Sequence, residues 1–404
     1  MKFVDGGVCA AKGFTASGVH CGIRANRAKR DLALIMSDAA ASAAGIYTQN
    51  LVKGAPIIVT QQHIADGIAR AVICNSGNAN TCNADGIQIA TAMCELLAQH
   101  ANIDANDVIV ASTGVIGQPL SIDPIAAGMA ELVASLSAEG CSMASEAIMT
   151  TDTVAKEVAV EFQCGGASCK LGGIAKGSGM IHPNMATMLV FLTTDAAIAP
   201  ALLQKALKAD ADISFNMVSV DGDTSTNDTL TIMANGAAGG TLIETEGADY
   251  DAFTAALNAV TTKLCKMIAK DGEGATKLVT CEVTGASDEN TAKVCAKSVI
   301  CSSLVKSAMF GADANVGRIL CALGYAGVPL DVDKIDVSYI SAAGTISVCD
   351  QGACLVFDEA LAKAVLLEDE ITIAINLNGG SAKATAWGCD LTYDYVKING
   401  DYRS

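Results

Sequence analysis

Between residues 172 and 196 the chain reads GGIAKGSGMIHPNMATMLVFLTTDA, its densest run of side chains able to do chemistry. Lys176 sits among flexible glycines, and His182 with Pro183 marks a turn. Met185, Ala186 and Thr187 then lead into an apolar run that reads as a buried strand. Gly-Ser-Gly beside a lysine suggests a phosphate loop. A P-loop, however, puts Gly-Lys-Ser/Thr at the opening of a helix, and here Lys176 precedes the glycines, which disfavours nucleotide binding by this loop. By type and spacing alone, Thr187 reads as a strand threonine, the ordinary role of that residue.

Three other segments carry candidate chemistry. In VIVASTGVIGQPL, residues 108–120, a strand ends at Ser112, Thr113 and Gly114, so a hydroxyl and backbone N–H groups gather where an oxyanion could be held. In isolation, an ordinary strand-to-turn glycine explains that segment better. VDGDTSTNDTL, residues 220–230, offers Asp221, Asp223 and Asp228, but lacks the central glycine and closing glutamate of a calcium loop. It reads as a rigid, hydrogen-bonded turn. In DGEGATK, Glu273 stands between two glycines just past a helix, where the helix dipole disfavours an anion and a role is invited.

These residues need a scaffold, and the composition bounds it. The 404 residues exceed one ordinary core, predicting two domains or one layered domain with an appendage. With 51% hydrophobic and 17% charged residues the chain is a folded globular one. A formal net charge of −17 argues against a sequence-independent grip on nucleic acid and against docking on an anionic membrane. No stretch reaches membrane-spanning length, and the N-terminus lacks a leader-like apolar region. Sixteen cysteines without a CxxC pair, beside four histidines, read as small buried thiols in a reducing cytoplasm rather than as a metal site.

Helical periodicity marks IAAGMAELVASLSA, ALLQKALKADAD and AFTAALNAVTTKLCKMIAKDG. Strand-like runs are AVICNSG, DVIVAS, EVAVEF, MLVFLTT, KLVTCEVTG, KIDVSYI, EITIAINL and LTYDYVKI. Strands that interleave with helices yet also adjoin one another predict an α/β (α+β) fold with mixed sheets sandwiched by helices. A boundary near residue 285 would divide a catalytic domain, 1–285, from a smaller C-terminal domain, 286–404.

Taken together and in order, the segments resemble the ornithine acetyltransferase (glutamate N-acetyltransferase) family of the arginine pathway. The likeness runs through GFTASGVHCGIR, DLALIMSD, NSGNAN, STGVIG, IMTTDT, AKGSGMIHPNMATML, FNMVSVDGDTSTND, DGEGATK, SSLVKSAMFGADAN and WGCDLTYDYVKINGDYRS. It implies an αββα-type layered fold with self-processing like that of N-terminal-nucleophile enzymes. It also implies cleavage between Ala186 and Thr187, giving an α chain of 1–186 and a β chain of 187–404. The freed α-amine, with a reference pKa near ~8, would then serve as general base for the Thr187 hydroxyl.

The resemblance further implies ping-pong transfer of acetyl from N2-acetyl-L-ornithine to L-glutamate through an acetyl-Thr187 ester. Thr113 and Gly114 match the oxyanion positions; Thr150, Lys176, Glu273, Asn399 and Ser404 match substrate contacts, with Thr151 and Thr153 as near alternatives to Thr150. Lys176 would supply the cation that a substrate carboxylate needs, and Glu273 would suit an ammonium or a proton transfer. His182 needs no catalytic role. No metal or cofactor is implied; whether acetyl-CoA is a second donor stays open. A cytoplasmic α2β2 assembly is expected.

The alternatives are a self-processed aminopeptidase or amidohydrolase, in which water resolves the acyl-enzyme, and a binding protein that never matures. Departures from the family pattern are TCNADG after NSGNAN, Val316 where Trp is usual, and Gly400 and Ser404 where Ala and Thr are commoner. Val316 removes an aromatic surface and so bears on substrate packing.

Overall fold

The computed structural model describes residues 1–182 and 188–400, so the expected nucleophile Thr187, its partner Ala186 and the tail residue Ser404 lie outside the described residues. The chain packs as two compact units. The first comprises Met1–Gly177, Asn184–Asp212 and Thr224–Leu264; the second comprises Ser178–Pro183, Ile213–Asp223 and Cys265–Ser404. The boundary read near 285 falls inside the second unit, at the end of the strand Leu278–Ala286, which is paired on both sides.

The first unit is built on a nine-stranded mixed sheet. Its order is Lys2–Val4, Lys156–Cys164, Ala167–Lys176, Leu189–Thr194, Thr229–Ala234, Leu32–Tyr47, Ile68–Asn78 and Val108–Val115, with Phe14–Val19 paired to Leu32–Tyr47. Successive strand side chains point to opposite faces. Leu34, Ile73 and Val110 accordingly join a core with Met93, Leu97, Ile125 and Met129 of the helices Gly86–Ala101 and Asp123–Ala134. Their neighbours Ile35, Val72 and Ile109 join a second core with Phe191 and with Ala144 and Ile148 of the helix Cys141–Ile148. Strands buried on both faces read as unbroken apolar runs, which is why AVIC, VIVA and LVFL show no alternation. The helices Asp123–Ala134 and Pro200–Ala211 each carry a proline in the first turn, where no N–H is missed.

The second unit has a seven-stranded sheet in the order Ala353–Cys354, Gly344–Asp350, Asp336–Ser341, Glu370–Asn376, Leu278–Ala286, Ala382–Cys389 and Val218–Ser219. Helix Glu289–Cys301 packs on its strands Leu278–Ala286 and Ala382–Cys389. Mixed α/β architecture with two sheets is thus what the chain adopts. One expected strand is wrong: LTYDYVKI lies mostly in the helix Tyr393–Gly400. Its alternating tyrosines mimic a strand, but Thr392 accepts the Tyr395 N–H through its hydroxyl, and the Asn399 side chain donates to the Tyr395 carbonyl one turn back.

Among the described residues no single helix is long and apolar enough to cross a membrane. The sixteen cysteines are free thiols and most are buried, as small apolar residues are.

Close packing leaves Gly172 no room for a side chain. A Cβ there would fall 1.9 Å from the Gly7 carbonyl oxygen, a backbone atom that cannot swing aside. We expect Gly172→Ala to destabilise the protein by about 1–3 kcal/mol or more. Gly317→Ala, on a helix whose nearest neighbouring atom would lie 3.6 Å away, should be neutral or mildly stabilising. Urea midpoints of the two variants measure the contrast; equal midpoints would contradict it.

Candidate active site

In the first unit, Thr113 and Gly114 lie near the end of the strand Val108–Val115, partly exposed where the preceding residues are buried. The expected strand end is one residue longer, reaching Val115. Parallel pairing with Ile68–Asn78 becomes irregular at Gly77 and Asn78, opposite Gly114. Gly114 has φ +134°, and a Cβ would fall 2.3 Å from the Gly77 carbonyl carbon. Only glycine meets both demands. The backbone is therefore turned at this point, as a bulged strand end that aims amides requires.

Side chains beneath it hold the turn. Asn227 donates to the carbonyls of Ala79 (2.6 Å) and Ser112 (2.9 Å) and accepts from the Thr81 hydroxyl (2.6 Å). The buried Ser112 hydroxyl donates to Asn75 at 2.6 Å. The segment read as a rigid turn thus contributes an amide that braces the strand bearing Thr113.

Thr150 and Lys176 are tied together by a residue that the sequence reading passed over. Asp152 is buried, and its carboxylate accepts from the Thr150 N–H (3.0 Å), the Gly177 N–H (2.6 Å) and the Lys156 ammonium (2.7 Å). Burial alone would raise its pKa. The charges of Lys176 and Lys156 and the hydrogen bonds overcome that and hold it at about 2. Lys176 is buried at the end of the strand Ala167–Lys176, in register with Leu189 of the next strand. One carboxylate thereby positions the Thr150 backbone and the residue that follows Lys176.

Asp228 is the opposite case. It is buried beside Met188, and neither carboxyl oxygen makes a hydrogen bond of good geometry among the described residues. Burial drives its pKa well above the usual range, against the pull of the Met188 amide and the Lys176 charge.

In the second unit, the Glu273 N–H donates to the Ser178 carbonyl at 2.8 Å. Its carboxylate accepts from the Asn399 side-chain amide at 2.8 Å. Gly179 lies against that carboxylate: a Cβ there would fall 2.3 Å from Glu273 Cδ. Asp221 accepts from the amides of Met180 and Ile181 and from the Tyr395 hydroxyl (3.2 Å). Burial raises the Asp221 pKa against those hydrogen bonds, and burial beside Asp221 raises that of Tyr395.

His182 places Nδ1 3.2 Å from the Ser219 hydroxyl and 3.4 Å from the Cys301 sulfur. Burial and the Lys297 charge lower its pKa to about 4, so it is neutral at pH 7 and suits the packing role given to it. Among the described residues no group of three or more His, Cys, Asp and Glu side chains is arranged to hold a metal ion.

The structure therefore brings Thr113, Gly114, Thr150 and Lys176 into the first unit, and Glu273 and Asn399 into the second. Asp152, Asn227 and Tyr395 are additions. The first had a readable signal, an acid four residues before Lys156, but nothing in the sequence ties it to Gly177.

The ArgJ family profile matches residues 15–404. The chain is 49% identical over 405 residues to the arginine biosynthesis bifunctional protein ArgJ of Caldanaerobacter subterraneus subsp. tengcongensis, covering 100% of both. It is 52% identical over 392 residues to the arginine biosynthesis bifunctional protein ArgJ 1 of Clostridium acetobutylicum, covering 97% of this chain and 96% of that protein. A crystal structure of the arginine biosynthesis bifunctional protein ArgJ from Bacillus halodurans matches with 45% identity and a TM-score of 0.50, over 52% of this chain and 97% of that one.

The ion pair at Asp152 makes a signed prediction. Its folded pKa of about 2 lies below the unfolded reference near ~3.9. The ionised group thus adds its full stability above pH ~4 and loses it as pH falls toward 2. Asp152→Asn removes the ion-pair partner of the buried Lys156 and should cost about 3–5 kcal/mol at pH 7. The gap to the parent should narrow below pH ~4. Urea titrations at several pH values read this directly, and a gap that stays constant with pH would overturn it.

Proposed function

We propose that this chain, which belongs to the ArgJ family, is an acetyltransferase of arginine biosynthesis that moves acetyl from N2-acetyl-L-ornithine to L-glutamate through an ester on Thr187. The observation that carries this reading is the end-to-end likeness, 49% identity over the full length of both chains, to a protein named for a bifunctional role in arginine biosynthesis.

Maturation comes first. The Thr187 hydroxyl adds to the Ala186 carbonyl, the C–N bond gives way to an ester, and water cleaves that ester to an Ala186 carboxylate and a free Thr187 α-amine. The Bacillus halodurans chain is covered almost whole by about half of this one, which supports a mature protein made of two pieces. The α-amine then takes the proton of its own hydroxyl as Thr187 attacks the acetyl carbonyl. Thr113 and Gly114 hold the oxyanion, ornithine leaves with a proton on its amine, and acetyl stays on Thr187. The glutamate amine attacks that ester and restores the hydroxyl.

Lys176 pairs with a substrate carboxylate, and its buried place beside Asp152 and Asp228 keeps the cation in one position. Thr150, Asn399 and Ser404 match the family's substrate contacts, and Glu273 suits an ammonium or the relay of its proton. The second activity implied by a bifunctional relative is acetylation of glutamate from acetyl-CoA as co-substrate, without a resident cofactor. The mature pieces assemble as α2β2 in the cytoplasm. A hydrolase that releases acetate instead of acetylglutamate is the competing outcome; the relatives' names favour transfer.

Intact-mass measurement tests the first step. The purified protein should give two chains ending at Ala186 and beginning at Thr187, whereas Thr187→Ala should remain one 41.0 kDa species without activity. Thr113→Val should mature slowly and lose about 100-fold in kcat, near the ~3 kcal/mol that one oxyanion donor supplies. Acetyl transfer that survives Thr187→Ala would refute the nucleophile.

A further inference from the structure

The chain carries 43 acidic and 26 basic residues, yet Arg24, Arg27, Lys29 and Arg30 fall within seven positions of one loop. This loop is built, not loose. The buried Asp31 carboxylate accepts from the amides of Cys21 (2.6 Å), Gly22 (3.2 Å) and Arg24 (2.9 Å). His20 Nδ1 lies 2.9 Å from the Lys29 carbonyl and 3.3 Å from Asp31, two acceptors that require the proton on that nitrogen. Arg30 donates from Nε to the Gly18 carbonyl at 3.1 Å and from Nη1 to Glu146.

A cavity of about 340 Å³ opens on this loop, lined by His20, Arg27, Lys29, Arg30 and, on the facing helix, Glu131. Arg27, Lys29 and the Glu146-paired Arg30 thus face, with His20, the one lining carboxylate, that of Glu131. Glu146 engages Arg30 alone, and Arg27 and Lys29 have no carboxylate within ion-pair distance among the described residues. In so acidic a chain, such a concavity is selective for a ligand with more than one negative charge. Its volume falls within the range of small-molecule sites.

The same loop abuts the catalytic strands. Arg24 donates to the Met149 carbonyl, next to Thr150, and its Cγ lies where a Cβ on Gly77 would come within 2.9 Å. Gly77 is the register partner of Gly114. Neither amino-acid substrate of the exchange reaction carries a phosphate, and Lys176 already serves a carboxylate. The remaining reactant with several fixed anionic groups is the nucleotide end of an acyl thioester carrier.

We propose that the cavity beside residues 20–30 binds the phosphates of a nucleotide-type acyl carrier, the acetyl-CoA donor of the second activity, with Arg27 and Lys29 as the principal contacts. Guanidinium and ammonium groups suit phosphate oxygens, and both side chains are exposed, so they can be changed without disturbing a core. This inference rests on the acetyltransferase reading given above.

The test uses the mature full-length enzyme and the R27E/K29E variant. Calorimetry with coenzyme A, adenosine 3′,5′-bisphosphate and inorganic phosphate should show the first two binding the parent and neither binding the variant. The KM for acetyl-CoA should rise at least ten-fold with kcat little changed, while acetyl exchange between N2-acetylornithine and glutamate stays within two-fold. R27K/K29R should recover the parental KM. Added salt should raise the acetyl-CoA KM of the parent more than that of the charge-reversed variant. Unchanged coenzyme A binding in R27E/K29E overturns the proposal. So does an equal loss in both reactions, a parent that binds inorganic phosphate as well as it binds the nucleotides, or a parent that performs exchange yet binds neither nucleotide. A parent inactive in exchange counts against the acetyltransferase reading instead, and nucleotide binding to it still decides the cavity.

Discussion

The buried carboxylate of Asp152 is the interaction on which the first unit's chemistry depends. It gathers the Thr150 amide from two residues before it, the Lys156 ammonium at the start of the strand Lys156–Cys164 and the Gly177 amide just past that strand's hairpin partner Ala167–Lys176. A buried ion pair gives little net stability, because desolvating two charges offsets their attraction. What it does supply here is position. Thr150 and Lys176 approach from different directions, and a single ionised group with several directed acceptor sites fixes both at once. The low pKa measures how strongly the surroundings favour that ionised state.

Asp228 shows the same environment read the other way. It too is buried within reach of the Lys176 charge, but there burial outweighs that charge and the Met188 amide, and its pKa rises. Two carboxyl groups near one lysine are thus pushed apart in proton affinity, one downward and one upward.

The strands that run through the core were legible because burial on both faces writes itself as unbroken Val, Ile and Leu. The bracing of the site was not. Asn227 reads as one polar residue among several in DGDTSTND, and only folding puts it beneath Ser112. Asp152 and Lys156 are four apart, a spacing that means contact on a helix, but here the pair closes an irregular turn before a strand. LTYDYVKI failed for a related reason: alternation is the local signal of a strand, yet Tyr393 is exposed, Tyr395 turns its hydroxyl to Asp221, and the Thr392 hydroxyl takes the Tyr395 amide at the start of a helix. Thr113 and Gly114 were visible as a strand end, though the positive φ of Gly114 and the close passage of Gly77 were not.

Net charge makes the placing of cations a separate problem. At long range a chain of charge −17 repels glutamate and any phosphorylated donor, and salt screens that repulsion beyond roughly 8–10 Å. Attraction must then come from cations that the substrate meets at short range. Most buried lysines cannot serve, because they are used as hydrogen-bond donors: Lys277 donates to the carbonyls of Met309 and Leu366, and Lys306 to that of Cys389. Lys156 is consumed by Asp152. In the Arg24–Arg30 loop, by contrast, Asp31 is taken up by backbone amides and Glu146 by Arg30, and Arg27 and Lys29 have no carboxylate within ion-pair distance among the described residues. An acidic enzyme can bind anions on these terms, by engaging its own carboxylates with backbone amides wherever a cation has to face a ligand.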